Sequence, residues 1–215
     1  KVAKKDKVSI EAWDYRFYAE KVRKAKYDID QNELKPYLQL EKLREGMFWA
    51  AGQLYGFQFT PVSDVPVADP DIRVWRVDGR DGKLVGLWYF DPYARQGKRS
   101  GAWMNAYRNQ ERLDGDVKTI VSNNSNFVKG KPGEPVLLSF EDATTLFHEF
   151  GHALHGLMSD VSFERLSGTA VLRDFVELPS QLFEHWLAEP QVLRRHARHW
   201  RTGEAIPDEL IARLK

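Results

Sequence analysis

Apolar positions recur at helical spacing in the first part of the chain. Ile10, Trp13, Phe17 and Val22 follow Ser9, a candidate helix cap, and share their segment with a basic run over 21–26. A second helix is predicted over 39–55 on Leu40, Leu43, Met47, Phe48, Ala51 and Leu54, with Gly56 as its stop. The residues between them, 28–36, carry turn chemistry. The period then shortens to two. Val74 to Val77 and Leu84 to Phe90 read as strands around Asp-Gly turns. Two further strands are predicted over 102–106 and 117–121, the first after a basic, glycine-bearing loop at 96–101. A loop with two prolines and two glycines follows at 129–135, and helical patterning returns from Ser139. The expected architecture is α+β and mainly helical: helices over 1–60, a small mixed sheet over 70–125, and helices again over 139–215.

Composition narrows the classes. The 215 residues hold 32 Lys and Arg against 31 Asp and Glu, a net charge of +1. That balance gives no electrostatic case for nucleic acid or anionic lipid as a partner. No segment approaches the ~18 apolar residues of a membrane span. With no cysteine, disulfides, thiolate metal ligands and cysteine nucleophiles are excluded. The chain begins at Lys1 and shows no secretory signal, so a cytoplasmic setting is expected, with the periplasm as the alternative. The Asn123-Asn124-Ser125 match to a glycosylation pattern is short and weak, and is set aside.

All six histidines lie between 148 and 199. Three fall in Phe147-His-Glu-Phe-Gly-His-Ala-Leu-His155, which contains the pattern H-E-x-x-H. Ser139 with Asp142 three residues on is a capping-box signature, so a helix is expected from there to about Met158. On that helix His148 and His152 stand one turn apart, with Thr145, His155 and Ser159 near the same stripe. The other positions are apolar, so the stripe faces a cleft. Two imidazoles there suit zinc, which takes three protein ligands at a catalytic site. The expected third is Glu177, on a second, antiparallel helix where Asp174, Glu177, Gln181 and Glu184 share one face. Pro179 is expected to start or kink that helix. A metzincin is excluded, since His155 and Met158 stand where Gly and His belong. In this reading Glu149 is the general base. The competing readings are a structural zinc site or core histidines for His148 and His152, and an ordinary exposed residue for Glu177. His155 reads as a hydrogen-bonded helix residue. His185, His196 and His199 read as surface or packing residues, and the run over 194–199 as a solvated helix face.

At these residues the sequence resembles the thimet oligopeptidase family of zinc peptidases. The resemblance is carried by 147–155, by Ser167-Gly-Thr169, and by Arg173-Asp-Phe-Val-Glu-Leu-Pro-Ser-Gln181. It extends upstream through Ala12-Trp-Asp-Tyr15, Lys35-Pro-Tyr37, 91–97 and Gly101-Ala-Trp-Met104. Gly101 to Met104 and Phe183-Glu-His-Trp186 look most like its bacterial peptidyl-dipeptidase branch. The resemblance implies one zinc held by His148, His152 and Glu177, with Glu149 as the catalytic carboxylate. It implies cleavage of short peptides in a deep channel with release of C-terminal dipeptides. An endo-acting oligopeptidase, or a metal-binding piece without activity of its own, is the alternative. It also implies a zincin-like active-site helix pair beside the sheet.

Members of that family are much longer. The expectation is therefore a partial catalytic domain over 1–215, with the zinc site complete and the rest of the catalytic region missing. Exposed apolar surface and self-association should follow. The strand near 101–107 is a candidate sheet edge for a peptide substrate, with Gly101 and Ala102 as contacts.

Overall fold

The computed structural model describes residues 9–27 and 31–214. Helix α1 spans Tyr15–Tyr27, behind a 3₁₀ turn at Ala12–Asp14. Ser9 is not its cap: the Asp14 carboxylate accepts from the Glu11 N–H at 3.1 Å. The basic run over 21–26 falls in α1, but the side chains of Lys24 and Lys26 lie outside the described residues, as do Asp28, Ile29 and Asp30. Where a plain turn was expected, a short helix α2 (Gln31–Leu34) and a 3₁₀ turn (Lys35–Tyr37) carry the chain. Leu34 and Leu38, both buried, pin this segment to the core. Helix α3 runs Leu40–Tyr55 and ends at Gly56, whose φ of 75° is the left-handed cap conformation.

Five strands follow: β1 (Gln58–Val62), β2 (Arg73–Asp78), β3 (Leu84–Tyr93), β4 (Trp103–Arg108) and β5 (Thr119–Phe127). Their order is β1-β2-β3-β5-β4, with β3 and β5 parallel and the other pairs antiparallel. Strand β1 corrects the helical reading of 1–60. It carries Pro61 and sits at the sheet edge, where a missing N–H is tolerated. Strand β5 corrects the short strand at 117–121: it continues through Ser122-Asn-Asn-Ser-Asn126, polar residues of low strand propensity. Four of these are buried, since β5 lies inside the sheet.

Helix α4 (Phe140–Leu157) has the expected cap, with Ser139 Oγ accepting from the Asp142 N–H at 3.0 Å. It packs across the sheet. Phe150 is a hub, with ring centroids 5.3 Å from Trp88, 5.9 Å from Phe59 and 5.5 Å from Phe183. On the other side of the core, Arg73 reaches Glu41 through two bonds of 2.7 Å and ties β2 to α3.

Beyond α4 the chain is less helical than expected. Residues 159–177 are irregular apart from a 3₁₀ turn at Glu164–Leu166. Helix α5 is only Leu178–Glu184, with Pro179 in its first turn, where its lost N–H costs nothing. Helices α6 (Pro190–His196) and α7 (Asp208–Arg213) complete the fold. The run over 194–199 is not one solvated face. Helix α6 ends at His196, which is buried against Gly46 and Trp49, and Ala197 is buried too. Among the described residues, no helix is long and apolar enough to cross a membrane.

Candidate metal centre

Helix α4 buries Ala143, Leu146, Phe147, Phe150, Ala153, Leu154 and Leu157, so the side facing the cleft is set by default. His148 and His152 stand there one turn apart, ring centroids 4.9 Å from each other. Gly151, between them, lets α5 come close. A Cβ at that position would lie 2.6 Å from Ser180 Cα and 2.8 Å from the Pro179 carbonyl oxygen. This close crossing delivers Glu177, which sits at the cap of α5 rather than inside a helix. Glu177 Oε2 lies 3.2 Å from His148 Nε2 and 3.1 Å from His152 Nε2. The Ser180 hydroxyl steadies the carboxylate, 3.0 Å from the same oxygen.

One ligand atom from each of His148, His152 and Glu177 falls within 4.8 Å of the others. The surroundings fit a cation. His148 Nδ1 lies 2.6 Å from a Glu184 carboxylate oxygen, which leaves Nε2 as the ring nitrogen turned toward Glu177. Ligand atoms from three side chains turned toward one point suit a cation between them. Burial, the largest effect, lowers the pKa of His152, which favours the neutral ring a metal binds. For Glu177 burial pushes upward, but the Ser180 hydroxyl and both imidazoles hold the carboxyl below its ordinary value. Two nitrogens and one carboxylate oxygen with room beside them match the donor set that catalytic zinc sites use, and could hold such an ion.

Glu149 is next to this group and not in it. It is 7% exposed, and its Oε2 is buried with no hydrogen-bond partner. Burial pushes its pKa from 4.5 up to about 7; His148 pulls it down and Glu177 adds to the rise. A carboxyl group poised near neutrality suits proton transfer.

The cleft is a cavity of about 440 Å³. Glu149, the three convergent residues, Thr169 and Val176 line one side; Ala102, Trp103 and Met104 of the β4 approach line the other. Strand β4 is one of the two edge strands of the sheet, as the candidate substrate edge requires. Ala102 therefore reaches the cleft, whereas Gly101 stands just outside its lining.

Of the three residues expected to share a face with Glu177, Glu184 is the one in contact with an imidazole; Asp174 and Gln181 are exposed. His155 lies on the same stripe but outside the group, its ring 6.2 Å from Phe175 and its buried Nδ1 unpartnered. Its Nδ1 therefore does not make the hydrogen bond that its position suggested. Sequence reasoning missed Ser180, whose place three residues after Glu177 was a usable signal. It also missed Asn123. That side chain is buried, donates to the Glu149 carbonyl at 2.6 Å and accepts from Trp88 Nε1 at 2.7 Å.

Comparison with known proteins identifies the family. The chain matches peptidase family M3 over residues 1–215. It is 47% identical over 208 residues to a dipeptidyl carboxypeptidase of Escherichia coli strain K12, covering 96% of this chain and 30% of that protein. It is 36% identical over 208 residues to oligopeptidase A of the same organism, covering 95% of this chain and 31% of the relative. A thimet-like oligopeptidase of Dictyostelium discoideum is 34% identical over 210 residues, with coverage of 94% and 31%. The chain thus spans about 30% of the length of the curated relatives it matches. With the family model matched along its whole length, this chain belongs to peptidase family M3.

Proposed function

We propose that this chain is the zinc-site portion of a peptidase that hydrolyses short peptides and releases C-terminal dipeptides. The observation that carries the reading is the convergence of His148 Nε2, His152 Nε2 and Glu177 Oε2 beside the buried, unpartnered Glu149 Oε2. When bound, zinc supplies Lewis acidity, which makes water acidic near neutral pH and polarises the scissile carbonyl. His148, His152 and Glu177 hold the ion, and Glu184 fixes the tautomer and tilt of His148. Glu149 takes the water's proton at its carboxylate and hands it to the leaving amine. The free edge of β4 pairs with the peptide backbone, with Gly101 and Ala102 as contacts. Greater similarity to the dipeptidyl carboxypeptidase than to oligopeptidase A favours dipeptide release over internal cleavage. The setting we assign is the cytoplasm, with the periplasm the alternative that fractionation of the source cell would reveal.

A second reading has its own observation. Among the described residues no Lys or Arg lines the cleft, so none of them there would anchor a substrate's terminal carboxylate. On that ground the isolated chain is expected to hold one zinc and to turn over a blocked tetrapeptide weakly or not at all. Metal analysis together with peptide hydrolysis, with and without a chelator, checks both statements. A folded chain that takes up no metal would sink the ligand assignment. Vigorous chelator-sensitive dipeptide release would show that the anchor lies within this chain. Light scattering on the same sample is expected to show association, since Leu172, Leu178 and Leu182 near the site are 77%, 54% and 59% exposed.

Glu184→Gln is expected to weaken zinc binding by about 10–100-fold, the usual cost of losing a ligand's outer partner. Competition with a chromogenic chelator measures it. Unchanged affinity would mean that the 2.6 Å contact with His148 orients nothing.

A further inference from the structure

We propose that Asn126 is a positioning residue: it presets the backbone of the substrate edge through the carbonyls of Arg99 and Gly101. The functional part of this inference rests on the reading of β4 as the strand along which a peptide binds.

The loop at 94–102 joins β3 to β4 and enters the cleft at Ala102. A loop of this size, left to itself, samples many conformations, and ordering it on binding lowers affinity. Here it is tied at both ends. On the near side Lys98, its side chain 3% exposed, spends its three protons on the Asp91 carbonyl at 2.8 Å, the Asp91 carboxylate at 2.9 Å and the Tyr93 carbonyl at 2.8 Å. Arg95 holds the same carboxylate at 2.6 Å. On the far side the Asn126 amide donates to the Arg99 carbonyl at 2.8 Å and the Gly101 carbonyl at 2.7 Å. Its two N–H bonds are both used.

Neither bond belongs to the strand ladder. Asn126 reaches across to residues 27 and 25 positions earlier in the chain. The bend that brings both carbonyls to one amide depends on Gly101, whose φ of 87° is open to glycine at little cost. Asparagine is a poor strand former, and Asn126 is half-buried. What it contributes is the placement of Gly101, and with it the direction in which Ala102, Trp103 and Met104 run past Glu149. Asn126 itself does not line that cavity, so it acts through the backbone.

The test uses this chain with Asn126→Ala, and with Asn126→Asp, which keeps the size but replaces the donors with acceptors. Three quantities are read: hydrogen exchange over 99–104, zinc affinity by chelator competition, and affinity for a blocked tetrapeptide in zinc-loaded protein that also carries Glu149→Gln. We expect faster exchange over 99–104 with β2 and β3 unchanged, zinc affinity unchanged, and peptide affinity lower by about tenfold. Unchanged exchange in both variants overturns the inference. Faster exchange with undiminished peptide affinity overturns its functional half and leaves Asn126 as loop scaffolding. If the zinc-loaded Glu149→Gln protein with Asn126 intact binds no peptide, the reading of the substrate edge fails, and exchange alone then decides whether Asn126 holds the loop.

Discussion

Glu149→Gln is expected to leave zinc bound and to lower peptide turnover by about 10²–10⁴-fold, the range for removal of a positioned general base. The amide has the shape of the carboxylate and no basicity. Because Glu149 is not among the convergent donors, the metal should survive the change. Its oxygen is buried and unpartnered, so no structural hydrogen bond is lost with it. The pH dependence separates this role from a packing role. Burial raises the carboxyl to about 7 in the metal-free protein, and a cation beside it favours the charged form and moves the value down. The base form is lost as pH falls, so the acid limb of kcat/KM should lie below about 7 and vanish with Glu149→Gln. Any turnover that the zinc-loaded chain supports, alone or completed by further polypeptide, serves for the measurement. Activity within tenfold of the parent would remove Glu149 from the chemistry.

Gly151→Ala should be far more damaging than the addition of a single methyl usually is. On a helix this substitution normally gains up to about 1 kcal/mol in propensity. Here the new Cβ would meet Ser180 Cα at 2.6 Å, the Pro179 carbonyl oxygen at 2.8 Å and Phe183 Cβ at 3.0 Å. Two of these are backbone atoms and cannot swing aside. Either α4 and α5 separate or the surrounding core is compressed, at about 1–3 kcal/mol of stability. Separation also carries Glu177 away from the imidazoles. Zinc affinity should therefore fall by more than the 10–100-fold lost with an outer partner. Denaturant unfolding and chelator competition on the variant measure the two effects. A variant as stable as the parent, with the same zinc affinity, would show that the contact between α4 and α5 is loose.

Much of the site is legible in the sequence, because the signals that built it are local. Ser139 and Asp142 mark the start of α4, and the spacing of His148 and His152 follows from helical geometry alone. What could not be read depends on tertiary placement. Asp174, Gln181 and Glu184 look equivalent on a helical projection, but α5 begins only at Leu178, so Asp174 is never on that face. Glu184 remains in register, about two turns beyond Glu177. The polar run of β5 lacks strand propensity and is explained only by what its amides hold: Asn123 the Glu149 carbonyl, Asn126 the loop before β4. Likewise His196 gives no local sign that Gly46 leaves room for it in the core.

The strand order has a consequence for how the molecule assembles. Strands β2 and β3 are joined by a tight turn, so their pairing closes a small loop and can nucleate early. The parallel contact of β3 with β5 must wait for the whole segment 94–118 to be spanned, and β4 can dock only on a β5 already in place. Such non-local pairings slow folding. The cleft wall is therefore the last part of the sheet to form. Until it does, β5 is itself an open edge, and a kinetic trap at this stage would be a second chain captured along β5 where β4 belongs.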